Sequence, residues 1–287
     1  MKRIVLFLML SFIALSLAAQ TANVPDGFVR INGGTFTMGS PANEPGRFDY
    51  EVQHQVTVSS FYMGKYEVTQ KEYREIMGTN PSGFIGDNLP VEYVSWYDAL
   101  VFCNKLSVSK GLSPAYSIGG KTNEWGTIPA QSGTNATWDA VTIVANSNGY
   151  RLPTEAQWEY ACRAGTTTPF STGNNITTSQ ANYNGNWPYN NNARGIYREK
   201  TTNVGSFAPN AWGLYDMYGN VYEWCWDRYG DYSSGAQTDP TGAVSGTGRV
   251  IRGGSWNSTA ENVRSARRGY DDPNYRGRDL GFRLVRP

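Results

Sequence analysis

The chain has 287 residues, 39% of them hydrophobic and 14% aromatic, enough to close one large core or two small ones and too apolar for a disordered chain. Its 25 Lys and Arg against 24 Asp and Glu leave a formal net charge of +1, so nothing electrostatic points to nucleic acid or an anionic membrane as partner. A single histidine, His54, and three cysteines without CxxC spacing argue against a zinc or non-heme iron site built from His and Cys.

The first residues, MKRIVLFLMLSFIALSLAAQ, place Lys2 and Arg3 before an apolar run from Ile4 to Ala19 that ends in small residues. This pattern reads as a cleaved secretory signal peptide over residues 1–19, leaving 20–287 as one exported domain, in the periplasm, at the cell surface or secreted. No cysteine follows the run to take a lipid anchor, and no later stretch approaches transmembrane length. Export permits disulfides, yet Cys103, Cys162 and Cys225 allow at most one internal bridge.

GFVRINGGTFTMGS, residues 27–40, alternates apolar and polar side chains around Gly33 and Gly34, the pattern of a hairpin. QVTVSSFYMGKYEVT continues as strand to Thr69, and His54, alternating with Val52 and Val56, reads as structural. Three helices are announced by their caps. Thr69 with Glu72 opens TQKEYREIMG, closed by Gly78; Ser95 opens SWYDALVFCNKLSVSKG, closed by Gly111; Thr154 with Gln157 opens the helix EAQWEYACRAG, closed by Gly165. The remainder is Gly-, Asn- and Thr-rich connection with short strands, and helix covers only about a sixth of the chain against the usual third. The expectation is a loop-heavy α+β domain in which the nine Trp and nineteen Tyr hydrogen-bond loop backbone through their polar tips. Nine arginines lie between Arg249 and Arg286, interleaved with Glu261, Asp271, Asp272 and Asp279. This is the composition of a mixed-charge recognition surface, or of a solvated face without a partner.

Six segments, MGKYEVTQKEY, PVEYVSWYDALVFCNKLS, YRLPTEAQWEYACRAGT, WGLYDMYGNVYEW, RVIRGGSW and LGFRLVRP, together resemble the formylglycine-generating enzyme (sulfatase-modifying factor) family across essentially all of 20–287. The resemblance implies a single compact, loop-rich α+β domain with a C-type-lectin-like fold and calcium ions stabilising loops. Members of the family oxidise a substrate cysteine with copper held by two cysteines, and those positions are occupied here by Ser258 and Val263. A hydroxyl and an isopropyl group supply no thiolate for copper(I), so no copper is expected and the enzyme's chemistry is expected to be missing. The resemblance also implies a calcium site with carboxylates from Asp216 and Glu223 and backbone carbonyls from Gly219 and Val221, a hard-oxygen set; the alternative is a turn whose acids only cap and hydrogen-bond. A second family site is matched by Asn182 and Tyr183, but its other half, NNARGIYREK, has no aspartate.

Between the framework elements RGGSW, with Trp256, and LGFRLV, with Phe282 and Leu284, lies a segment rich in polar and aromatic residues, as binding loops on rigid scaffolds are. The candidate ligand-binding residues are Asn257, Ser258, Thr259, Asn262, Arg268, Tyr270, Asp271, Asp272, Asn274, Tyr275, Arg278 and Asp279, joined by Arg276 as a planar donor. Of these, Ser258, Tyr270, Asp271, Asn274, Tyr275 and Arg278 are expected to be exposed. From Asn257 to Asp279 only Glu261 lies outside the set reachable from an Asn codon changed at its first two bases. The segment in this respect resembles the variable proteins of diversity-generating retroelements. Three functions stay open: a non-catalytic, monomeric binder of a protein or cell-surface ligand; a formylglycine-generating or related oxidoreductase; and a structural envelope component.

Overall fold

The computed structural model describes residues 24–130 and 135–287; the signal-peptide expectation for residues 1–19 lies outside them. Helix α1 (Gln70–Met77) is opened by Thr69 in a capping box with Glu72 and closed by Gly78 at φ 79°. Helix α2 (Trp96–Ser109) opens at Ser95, whose capping partner is Asp98, and Gly111 follows its end at φ 68°. A short helix, α3 (Ala136–Asp139), is capped by Asn135. Helix α4 (Glu155–Arg163) opens with the Thr154 and Gln157 box, but the first left-handed residue at its end is Ala164, one position before the expected Gly165.

The expected N-terminal hairpin does not form. Phe28–Ile31 pairs with Phe61–Gly64, whereas Gly34–Met38 pairs with His54–Val58 in a different sheet. The two antiparallel ladders are one long ribbon broken at residues 32–33 and 59–60, where Gly33 lies so close to the partner chain that a Cβ would stand 2.5 Å from the Val58 carbonyl oxygen. Alternation identified the strands correctly, but strand periodicity carries no information about the pairing partner.

A central four-stranded sheet orders Gly269–Asp271, Arg249–Arg252, Tyr222–Arg228 and Leu280–Gly281. The strand Val285–Arg286 returns to pair with Met63 and Tyr62. Two apolar clusters flank these sheets. One gathers Val56, Phe61, Met63, Trp158 and Phe170, the other Val91, Trp96, Phe102, Trp224 and Phe282. The result is a single α+β domain made mostly of loops and short sheets. Aromatic tips hold the loops as expected: Trp96 Nε1 donates to the Cys225 carbonyl and Trp224 Nε1 to the Val94 carbonyl, both at 2.9 Å, and the Tyr116 hydroxyl accepts the Leu152 amide at 2.8 Å. All three cysteines are buried free thiols, and burial pushes the Cys162 thiol up to about 11.

Arginine supplies the second fastening. Arg264 bridges Glu44 (2.6 Å) and Glu51 (2.8 Å), Arg268 grips Glu155 (2.6 Å), Arg283 grips Glu223 (2.6 Å), and Arg252 pairs with Glu159. All four guanidinium groups are buried, where an unmatched charge would be costly; Arg264, Arg268 and Arg283 each hold one glutamate through two nitrogens, which offsets the desolvation.

A candidate binding site around Trp256

The strand Arg249–Arg252 ends in Gly253 and Gly254, at φ 91° and 73°. A Cβ on Gly254 would stand 2.4 Å from Val263 Cγ1, so only glycine fits both the backbone angle and the space. This turn delivers Ser255 to the interior and Trp256, expected as framework, to a half-buried position at the surface.

Three loops converge on the indole. Phe84 meets it edge-on at 5.5 Å and Tyr197 lies nearly parallel at 6.2 Å. The Tyr197 hydroxyl donates to Asn257 Oδ1 at 2.7 Å, and the indole N–H points to the Arg278 carbonyl at 3.4 Å. The Arg278 guanidinium lies over Phe84 at 5.7 Å and Tyr93 at 6.0 Å, and no described carboxylate pairs with it. Ile85 (76% exposed), Trp187 (61%) and Ile196 (62%) stand in the open on the loops that carry Phe84 and Tyr197. The Trp187 loop is tied to the C-terminal segment by the Ala260 amide on the Trp187 carbonyl (3.0 Å) and the Asn184 amide on the Ser258 carbonyl (2.9 Å).

The floor is polar. Ser258 Oγ accepts the Ser255 amide at 3.0 Å and donates to the Tyr222 hydroxyl at 3.3 Å. Burial raises the Asp279 carboxyl above its ordinary value. Burial, with the neighbouring Asp272 and Asp279 charges, pushes Asp271 up to about 6 against one backbone hydrogen bond.

The structure divides the residues expected at the site. Asn257, Tyr270, Asp272, Tyr275 and Arg278 are exposed, and Thr259, Asn262, Asp271 and Asp279 are half-buried. Ser258, Arg268 and Asn274 are buried, which corrects the expectation that Ser258 and Asn274 face solvent. Arg268 is turned inward because Glu155 offers it two oxygens, at 2.6 and 2.8 Å, beneath the Tyr232 ring. Thr259 and Asn262 bond each other at 2.9 Å, and Tyr270 stacks on Tyr229 at 4.4 Å rather than on Trp256. Phe84, Tyr93 and Tyr197 belong to the site without any prior signal, since they sit in aperiodic loops far from the C-terminal segment in sequence.

Val263, the second of the two positions that carry cysteine in the resemblance, is fully buried in the core on the 3₁₀ turn Ala260–Val263.

A separate set of oxygens gathers beneath the WGLYDMYGNVYEW turn. Gly219 passes so close to the Asn182 carbonyl that a Cβ would stand 2.1 Å from its oxygen. Asp216 Oδ2 accepts the Gly205 amide at 2.6 Å and Glu67 Oε2 accepts from Asn220 at 3.2 Å. Asp216 Oδ1, Glu67 Oε1, Asn182 Oδ1 and Thr201 Oγ1 are buried without a hydrogen-bond partner. Burial drives the Asp216 carboxyl up to about 6 and the Glu67 carboxyl well above its usual range, with Asp216 and then Glu223 adding to the rise in Glu67. Glu223, expected as a metal ligand, is held by Arg283 through both oxygens at 2.6 Å and by the Trp158 N–H at 2.7 Å. No group of three or more His, Cys, Asp or Glu side chains among the described residues is arranged to hold a metal ion. Any cation here would therefore depend on two carboxylates, Asp216 and Glu67, supplemented by amide, hydroxyl and backbone oxygens. Glu67 was not legible as a site residue, because it stands inside a run that reads only as strand.

The sulfatase-modifying factor enzyme 1-like domain matches residues 15–287. The chain belongs to this family. It is 37% identical to the chaperone protein LppX of Paenibacillus barcinonensis, over 100% of this chain and 99% of that one. It is 30% identical to the formylglycine-generating enzyme of Bos taurus, over 91% of this chain and 75% of the enzyme. Among solved structures, Treponema denticola variable protein 1 superposes with a TM-score of 0.80 at 36% identity, over 91% of this chain and 95% of that one. The sulfatase-modifying factor scaffold is thus shared with both an enzyme and a variable protein, and what distinguishes the members must lie in the site.

Proposed function

We propose that this member of the family is an exported, non-catalytic binding protein whose ligand, a protein or cell-surface structure, docks on the rim around Trp256. The observation that carries the reading is the pair Ser258 and Val263. One is a hydroxyl already engaged by Ser255 and Tyr222, the other an aliphatic side chain packed in the core, and neither supplies the thiolate that a copper(I) centre requires. The three cysteines are buried in other elements. Support also comes from the likeness, over nearly the full length of both chains, to variable protein 1, and the exposed part of segment 257–279 is the region we assign to diversification by a retroelement. The protein acts as a monomer, with a structural calcium ion held by Asp216 and Glu67 together with the Gly219 and Val221 carbonyls, Glu223 being committed to Arg283 and Trp158. The unpartnered oxygens of Asp216, Glu67 and Asn182 suit a hard cation.

Two measurements test the reading. Protein supplied with copper and a cysteine-containing sulfatase peptide is expected to leave the peptide mass unchanged; conversion of the cysteine to formylglycine overturns it. A Tyr197→Ala, Tyr275→Ala, Arg278→Ala variant is expected to fold and to lose adhesion to the cells or protein that the parent recognises. Undiminished adhesion would move the binding surface elsewhere.

A further inference from the structure

The loop that follows strand Tyr222–Arg228 passes beside the first turn of α4, where the Tyr232 hydroxyl donates to Glu155 Oε1 at 3.3 Å. It returns as Gln237–Thr238, which pairs in parallel with Val56 and Thr57. It then lies against the strand it left, for Gly242 bridges Arg228 and a Cβ on it would stand 2.6 Å from Asp227 Cβ. Between this loop, α4 and the strands that carry Met38 and His54 lies a cleft of about 390 Å³, in part open to solvent. It shares no lining residue with the rim around Trp256.

At its base stands Asp227, 2% exposed. Its Oδ2 accepts the Glu155 amide at 2.9 Å. Its Oδ1 accepts from no described residue and is not sealed away, so it opens on the cleft that the residue lines. Burial and then the Glu155 charge push the carboxyl up to about 8, against the Glu155 amide, Arg268 and Arg249. The walls add further acceptors. His54 Nδ1 stands 3.0 Å from the Val52 carbonyl oxygen; a carbonyl only accepts, so Nδ1 carries the hydrogen, and Nε2 of the neutral ring, which no described residue meets, is left as an acceptor. Asp231 lines the cleft in an exposed position and makes no ion pair among the described residues. Met38, Ala156, Pro240 and Ala243 supply apolar wall.

These groups exclude most classes of ligand. Arg268 is the cation of the lining, and its three nitrogens are all engaged, two by Glu155 at 2.6 and 2.8 Å and one by the Gly230 carbonyl at 3.0 Å, so no fork is free for an anion. A sugar ring would need an open aromatic face, but Tyr232 is covered by the Arg268 guanidinium at 3.8 Å and the His54 ring at 4.4 Å. No three His, Cys, Asp or Glu side chains among the described residues are arranged for a metal ion. The class that fits is a donor that carries its own positive charge and an apolar tail.

We propose that this cleft binds a small primary alkylammonium ligand, its ammonium group on Asp227 Oδ1 and His54 Nε2 beside the Asp231 carboxylate and its alkyl chain against Met38, Ala156, Pro240 and Ala243. The three N–H donors of the head match the three acceptors. The cation also supplies the buried carboxylate with the counter-charge that no described arginine gives it. Binding displaces the Asp227 proton, so affinity rises as pH climbs toward about 8 and falls in acid.

The test is calorimetric titration of the intact protein with n-butylammonium, alongside n-butanol, which lacks the charge, and tetramethylammonium, which lacks the N–H donors. Butylammonium should bind, and each of the other two at least about tenfold more weakly, in line with loss of a charge-assisted contact. Asp227→Asn, which keeps an acceptor for the Glu155 amide, should weaken butylammonium at least about tenfold and remove the rise with pH. Melting is followed in parallel; should that variant fail to fold, Asp231→Asn carries the comparison, with an expected loss of about threefold. Absence of binding, equal binding of butanol or tetramethylammonium, or an affinity unchanged by whichever variant folds would each overturn the proposal. Calcium binding that Asp227→Asn abolishes would overturn it in favour of a metal. Loss of butylammonium binding in the Tyr197→Ala, Tyr275→Ala, Arg278→Ala variant would overturn it by placing the ligand on the Trp256 rim.

Discussion

The inner and outer faces of the C-terminal segment use the same residue types under opposite rules. Inward, Arg252, Arg264, Arg268 and Arg283 each meet a glutamate from a distant part of the chain. Outward, Arg278 rests on aromatic rings, and among the described residues Asp271, Asp272 and Asp279 make no ion pair. In the low-dielectric interior an unmatched charge is not tolerated, so matching is the mark of framework. Charges left unmatched in a half-exposed cleft are available to water or a partner. Burial thus sorts the segment into two populations that its sequence interleaves.

The largest expected effect breaks the inner face. Replacing Arg283 by Ala strands Glu223 beside Glu67 and Asp216, and the loss of one member of a buried pair costs about 3–5 kcal/mol; urea unfolding should show it. A variant as stable as the parent would erase the distinction drawn between the faces.

Asp227 sharpens the comparison, since it is a buried acid that no described arginine pairs with and that burial keeps protonated instead. Burial, then the Glu155 charge, pushes its carboxyl up to about 8. The folded state therefore holds a proton that the unfolded chain releases near its ordinary range. The stability this contributes is present in acid and is lost as pH rises from about 4 to about 8, at up to about 1.4 kcal/mol per pH unit. Asp227→Asn, which keeps an acceptor for the Glu155 amide (2.9 Å from Asp227 Oδ2), should flatten that slope in melting curves taken across the range. An unchanged slope would show that the acid is ionised in the folded protein.

Calcium gives the next largest effect. At a concentration about a hundredfold above its dissociation constant it should stabilise the protein by roughly 2.7 kcal/mol, and chelator should reverse this. Glu67→Gln with Asp216→Asn should abolish the response. A chelator response that survives in this variant places the ion elsewhere.

Smallest in stability is the outer face. Tyr275→Ala and Arg278→Ala remove exposed groups that make no ion pair among the described residues, so each should change unfolding by less than about 0.5 kcal/mol while weakening adhesion strongly. A large stability loss would return these residues to the framework.

What the sequence determined by itself was local. The caps at Thr69, Ser95 and Thr154 were legible because a capping box spans four residues and its hydrogen bonds close within one turn. The end of α4 slipped by one residue because Ala164 takes the left-handed position before Gly165. The absence of thiols at Ser258 and Val263 needed no coordinates at all. Tertiary structure alone decided the rest. The ribbon from Phe28 to Gly64 splits between two sheets through contacts at Gly33 that no periodicity encodes. Arg264 and Arg268 went inside because Glu51 and Glu155, 213 and 113 residues away in sequence, can reach them. Trp256 became the centre of a site because Phe84 and Tyr197 arrive from loops with no pattern of their own. Capping and strand alternation are short-range and leave a signature in consecutive residues; charge matching and aromatic packing act between residues that only the folded chain makes neighbours.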